Sequence, residues 1–103
     1  MSVLDWKYQL EVSNGDVYEI PVSAIATHRA THYAHEFNND IRVSLDEDTI
    51  PLFKSDLYEI EDWAKNNMNW VDVVKHAKRV KVAYNLVNFQ QSWVNGKVEI
   101  VKE

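Results

Sequence analysis

Tyr8-Gln9-Leu10-Glu11-Val12-Ser13-Asn14-Gly15-Asp16-Val17-Tyr18-Glu19-Ile20-Pro21-Val22 is the stretch whose reading decides the fold. Tyr8, Leu10, Val12, Tyr18, Ile20 and Val22 are apolar and even-numbered, and they flank one of only two glycines in the chain. Such alternation marks a pair of half-buried strands. For all six residues to share one face, the loop between the strands must contain an odd number of residues. Ser13-Asn14-Gly15 satisfies this, with Gly15 in the left-handed conformation that follows a type I turn. The register then pairs Leu10 with Tyr18 and Tyr8 with Ile20, and Lys7, Gln9, Glu11 and Glu19 face the other way. Pro21 has no N–H to give a ladder, so it belongs at the edge or end of the second strand.

The second glycine follows Asn95 near the other end, again between apolar residues. Phe89 and Trp93 are odd while Val98 and Ile100 are even, so a two-residue Asn95-Gly96 turn brings them onto one face. This reading pairs Trp93 with Val98 and Gln91 with Ile100, and it gives Gly96 a positive φ. Between the two hairpins the periodicity is helical. Ser23 is the N-cap of a helix from about Ala24 to Asn38, with Ala26, Ala30, Tyr33, Ala34 and Phe37 on its apolar stripe. In residues 40–53, Ile41, Leu45 and Asp48 suit a turn or two of helix that Pro51 must end or restart. A second helix starts at Ser55 or Asp56 and turns Leu57, Ile60, Trp63 and Ala64 inward, until Asn66-Asn67-Met68-Asn69 breaks it. Asn69, with Asp72 three residues on, caps a third helix whose stripe continues through Val73, Ala77 and Val80. Alternation returns at Val82, Tyr84 and Leu86 and shifts parity at Val87 and Phe89, as at a bulge or a break between strands. The expected architecture is one α+β domain over 1–103. Two antiparallel hairpins, about four strands, frame two or three central helices packed on one face.

Composition fits that architecture. The chain has 103 residues, 46% of them hydrophobic, with four Trp, five Tyr and three Phe, enough for one core without staples. It contains no cysteine, which removes disulfides, thiolate metal sites and Cys nucleophiles together. Residues Met1 to Trp6 lack the basic and apolar regions of a signal peptide, and no run approaches a membrane span of about 18 apolar residues. The expectation is a cytoplasmic protein with no membrane partner.

The net charge of −5 is divided unevenly. From Glu36 to Asp62 nine acids face only Arg42 and Lys54, a balance of −7. From Trp63 to Glu103 seven bases face Asp72, Glu99 and Glu103, a balance of +4. The acidic total disfavours nucleic acid, although Lys75, Lys78, Arg79 and Lys81 cluster where a helix should end. Complementary segments of this length point to a protein partner or to self-association. A two-fold homodimer, pairing each acidic patch with its partner's basic patch, is the closed form. Tryptophans left over from the core would add an apolar component to such an interface.

The residues most suggestive of chemistry are His28, His32 and Glu36 in the first helix. The i, i+4 spacing of His28 and His32 lets two imidazoles share one metal ion. His35 shares their side of the helix but lies about 10 Å from His28 along the axis. The order His-Arg-Ala-Thr-His lacks the glutamate that serves as general base in His-Glu-x-x-His zinc enzymes. The plainer reading is a solvated polar face opposite the apolar stripe. Asp46, Glu47 and Asp48 lack the glycine and the closing glutamate of a calcium loop, and Glu59 and Asp62 suit the start of a helix. No glycine-rich phosphate loop and no nucleophile elbow is present.

Thr49-Ile50-Pro51-Leu52-Phe53, Asp56, Tyr58-Glu59-Ile60-Glu61-Asp62-Trp63 and Asn66-Asn67-Met68-Asn69-Trp70 together resemble small uncharacterised proteins encoded by tailed phages of marine cyanobacteria. The resemblance covers about a quarter of the chain. It implies expression in an infected bacterial cytoplasm and carries no activity or site residue with it. The leading functional reading is a small non-enzymatic protein-interaction domain, such as a phage accessory protein that binds a host or phage protein. Its contact residues would be Asp46, Glu47, Asp48, Glu59, Asp62 and Trp63, and it would need no cofactor. The alternative is a metal-binding or metal-dependent enzymatic domain using His28, His32 and Glu36.

Overall fold

The computed structural model describes residues 2–12, 16–81 and 89–102. Strands β1 (Lys7–Glu11) and β2 (Val17–Pro21) pair antiparallel with Leu10 opposite Tyr18 and Tyr8 opposite Ile20, the register that parity requires. The Val12 amide donates to the Asp16 carbonyl at 2.9 Å where the strands part. Gly15 and its expected positive φ lie outside the described residues. Pro21 ends β2 and stands at the N-terminal boundary of helix α1 (Val22–Tyr33), so the chain passes from strand to helix without a loop and Ser23 is not the cap. A 3₁₀ turn (Ala34–Phe37) carries the helix to Asn38, whose φ of 57° reverses the chain.

Residues 41–55 are helical throughout: α2 (Ile41–Ser44), a π turn (Leu45–Thr49) and α3 (Ile50–Ser55). The Asp40 carboxylate caps this run by accepting from the Val43 amide at 3.1 Å. Pro51 does not end it; the α-helical geometry restarts at Ile50, with Pro51 the next residue. A proline inside an α-helix lacks one N–H and crowds the carbonyl four residues earlier, and here the wider π turn lies immediately before it, with Pro51 in the first turn of α3. Helix α4 (Tyr58–Asn67) begins after Asp56, whose Oδ1 accepts from the Tyr58 amide at 3.0 Å, and it buries Ile60, Trp63 and Ala64. Helix α5 is one turn (Trp70–Val73), with Asp72 Oδ2 accepting from the Asn69 amide at 2.7 Å. Its stripe does not continue to Val80. A 3₁₀ turn (Val74–His76) leads directly into β3 (Lys78–Lys81), which pairs with β2. The alternation at Val82, Tyr84 and Leu86 lies outside the described residues.

The C-terminal hairpin is the main correction. Phe89–Asn95 is a helix, α6, and the strand after Gly96, β4 (Lys97–Val101), pairs with β1 instead of folding back on residues 91–93. The sheet order is therefore β3-β2-β1-β4, antiparallel throughout. Phe89 and Trp93 are four apart, a spacing that satisfies both the strand and the helix period. Burial decides between them. The Trp93 indole N–H reaches the carbonyls of Ala64 and Met68, each at 3.0 Å, and so occupies acceptors at the end of α4. The Gln90 side chain adds a clamp, donating to Asn69 Oδ1 at 3.1 Å and accepting from the Trp70 amide at 2.8 Å.

Gly96 does not need a positive φ, contrary to the turn reading; it needs to be small. A Cβ there would stand 2.5 Å from the Ser92 carbonyl oxygen, 2.6 Å from that of Glu11 and 2.8 Å from Leu10 Cδ1. Helix α6 reaches the sheet only because nothing occupies that space. The helices cover one sheet face, where Tyr8, Leu10 and Ile20 are fully buried against Ile25, Phe53, Ile60 and Trp93. The opposite face carries Lys7, Gln9, Glu11, Glu19, Lys97 and Glu99, and Gln9 Nε2 donates to Glu19 at 3.1 Å. Among the described residues no helix is long and apolar enough to cross a membrane.

Candidate interaction surface

Helices α1 and α4 and the π turn meet around Trp63. His28 and His32, one turn apart on α1, set their rings 5.9 and 5.4 Å from the indole, and Tyr33 lies 5.7 Å away. The Trp63 indole N–H donates to His28 Nδ1 at 3.0 Å. A neutral histidine that accepts at Nδ1 carries its proton on Nε2, so neither ring nitrogen keeps a free lone pair for a metal. His32 and Glu36 are exposed. Among the described residues no three His, Asp or Glu side chains form a group that could hold an ion. The i, i+4 histidines serve instead as one wall of an aromatic cluster, a role their spacing allows equally well.

Arg29 joins that cluster to the π turn. Its guanidinium lies 4.7 Å over the Tyr33 ring and 5.8 Å from Trp63. Its Nη1 donates to Asp48 Oδ2 at 2.9 Å and to Thr49 Oγ1 at 3.0 Å. With 13% of its side chain exposed, Arg29 is effectively internal, whereas Asp48 keeps 38%. Arg29 and Thr49 escaped the sequence reading because Arg29 meets Asp48, Thr49 and Trp63 across 19 to 34 residues of chain, and Tyr33, read there only as part of an apolar stripe, meets Trp63 across 30; the legible signal was a lone arginine beside the histidines.

The expected contact residues therefore separate. Trp63 is 7% exposed and belongs to the core, and Asp48 is committed to Arg29. Asp62 is half-buried, accepting from Asn66 Nδ2 at 2.9 Å, and Glu59 is half-buried on the same helix. Asp46 and Glu47 remain at the surface, in company with Glu36, Asp40 and Asp56. Only three ion pairs form among the described residues: Arg29 with Asp48, Arg42 with Asp46 at 3.9 Å, and Lys65 with Glu61 at 3.2 Å. The tryptophan patch does not materialise. Trp63 and Trp93 are buried and Trp6 and Trp70 half-buried, while among the described residues the exposed large apolar ones are Ile41, Tyr58, Val71, Val74 and Val94.

The basic residues stand elsewhere. Lys75 lies in the last turn of the 3₁₀ helix that follows α5, as a helix end favours, whereas Lys78 and Arg79 lie in β3, where no helix end explains them; all three are exposed without an ion pair among the described residues. Two shallow hollows flank β4. One, of about 280 Å³, lies on the open sheet face between Gln9, Glu11, Lys97 and Glu99. The other, of about 340 Å³, lies beside Gln91, Ser92 and Asn95. No protein-family profile matches the chain, and no curated protein or solved structure matches it.

Proposed function

We propose that this chain is a small non-enzymatic protein-interaction domain whose docking surface is its acidic helical layer, and whose partner is a protein presenting basic groups. The observation that carries this reading is the exposure of Asp46 and Glu47, and with them of Glu36, Asp40 and Asp56, where the one ion pair among the described residues is Arg42 with Asp46 at 3.9 Å. Exposed like charges repel one another, and a complementary surface relieves that repulsion and speeds encounter. The resemblance to cyanophage proteins supports a setting for it: an accessory protein in the infected bacterial cytoplasm, acting on a host or phage protein.

The test compares proteins retained from bacterial lysate by the wild-type chain and by an Asp46→Asn, Glu47→Gln variant. The expected result is one protein retained by the wild type in 0.1 M salt and lost both from the variant and in 1 M salt, where the Debye length falls from about 10 Å to about 3 Å. Equal retention by both chains overturns the assignment of this surface.

A further inference from the structure

The two edges of the sheet differ in chemistry. β3 carries Lys78, Arg79 and Lys81 within four residues, so every antiparallel register of this strand on itself sets cation against cation. Charged edges of that kind prevent edge-to-edge pairing. β4 reads Lys97-Val98-Glu99-Ile100-Val101, one cation and one anion among three β-branched residues, with no strand beside its outer edge among the described residues. Lys97 and Glu99 are exposed on the open sheet face, while Val98 and Ile100, half-buried, pack toward the core on the other.

We propose that β4 is a homodimerisation edge, at which a second copy of this chain pairs antiparallel about a two-fold axis centred on Val98. In that register Val98 meets the partner's Val98, Lys97 meets the partner's Glu99, and Glu99 meets the partner's Lys97. Within each copy β1 already places Glu11 opposite Lys97 and Gln9 opposite Glu99. The joined sheet therefore carries rows running Glu11, Lys97, the partner's Glu99, the partner's Gln9, in which each lysine lies between two carboxylates. Opposed residues share parity, so whichever alternate N–H and C=O groups of β4 point outward can bond across the axis. Centring on Glu99 instead would set two carboxylates face to face, and centring on Ile100 would set Glu99 opposite Val101, without a counter-charge. An isologous contact of this form closes at two copies.

Sedimentation equilibrium on the wild-type chain, on Lys97→Glu and on Glu99→Lys tests the proposal. The wild type should dimerise, and each reversal should raise the dissociation constant about tenfold, because it converts both symmetry-related pairs to like charges. An equimolar mixture of the two variants should form a heterodimer as tight as the wild type, since every cross-axis pair is again complementary. Lys97→Glu also faces Glu11 within its own chain, so Glu99→Gln and Glu99→Lys, whose neighbour on β1 is uncharged Gln9, provide a second series that should weaken dimerisation stepwise. A wild type that stays monomeric at millimolar concentration overturns the proposal, as do variants that dimerise equally well or a mixture that fails to recover. Species that keep growing with concentration would mean head-to-tail pairing of β3 with β4 and overturn it equally. None of these outcomes involves Asp46 or Glu47, so failure here is separable from failure of the acidic docking surface.

Discussion

Two closely packed residues make opposite demands on their surroundings. Gly96 is required for space: Gly96→Ala forces a methyl group against two backbone oxygens on separate elements, neither of which can rotate away. The expected cost is about 1–3 kcal/mol in urea unfolding, in the range of overpacked cores. A loss of less than half a kilocalorie would show that α6 can back away from β1. Tyr8 is fully buried and its hydroxyl has no hydrogen-bond partner among the described residues. Tyr8→Phe removes that orphan without stranding a partner, so stability near neutral pH should be unchanged or higher by up to about 1 kcal/mol. Burial first, and the Glu61 carboxylate second, hold this hydroxyl well above the ordinary tyrosine range. The folded state then resists ionisation that the unfolded chain undergoes near pH 10, so stability is intact below that pH and declines above it, by up to about 1.4 kcal/mol per pH unit. Comparing wild type and Tyr8→Phe at pH 8 and pH 11 should show the gap moving in favour of the variant; a constant gap would mean that the hydroxyl ionises freely in the folded protein.

The helices are joined by two polar contacts that helical periodicity could not announce. Trp93→Phe keeps most of the ring but loses the N–H that serves the Ala64 and Met68 carbonyls, and it should cost about 2 kcal/mol in denaturant titration. An effect within experimental error would mean that α6 is held by apolar packing alone. Arg29→Met severs α1 from the π turn, stranding Asp48 and Thr49. Asp48 is partly solvated, so the expected loss is about 1–2 kcal/mol, well below that of a fully buried pair. The two ends of the chain were unequally legible at this scale. The first hairpin was readable because six apolar residues of one parity admit one register. The second was misread because Phe89 and Trp93 fit either period, and the Asn95-Gly96 pair that suggests a turn marks the end of α6.

Across the whole molecule, acidic and basic segments occupy different places, and only Lys65 with Glu61 links one to the other by an ion pair among the described residues. Asp46→Asn with Glu47→Gln should therefore alter stability by no more than about 0.5 kcal/mol, as for other exposed positions, and melting curves check this before any binding difference is read. By itself the sequence determined the α+β class, the register of β1 with β2, the burial of Ile60, Trp63 and Ala64, and the segregation of charge. Each of these follows from local period, parity or composition. Only the tertiary structure decided that β4 joins β1, that Trp93 enters the core from a helix, that His28 accepts from Trp63 in place of facing solvent, and that β3 and β4 are the outer strands of the sheet among the described residues. Those outcomes depend on which distant groups arrive within a few ångströms of each other, and a buried indole N–H or a crowded glycine selects its partner by contact geometry that no spacing along the chain encodes.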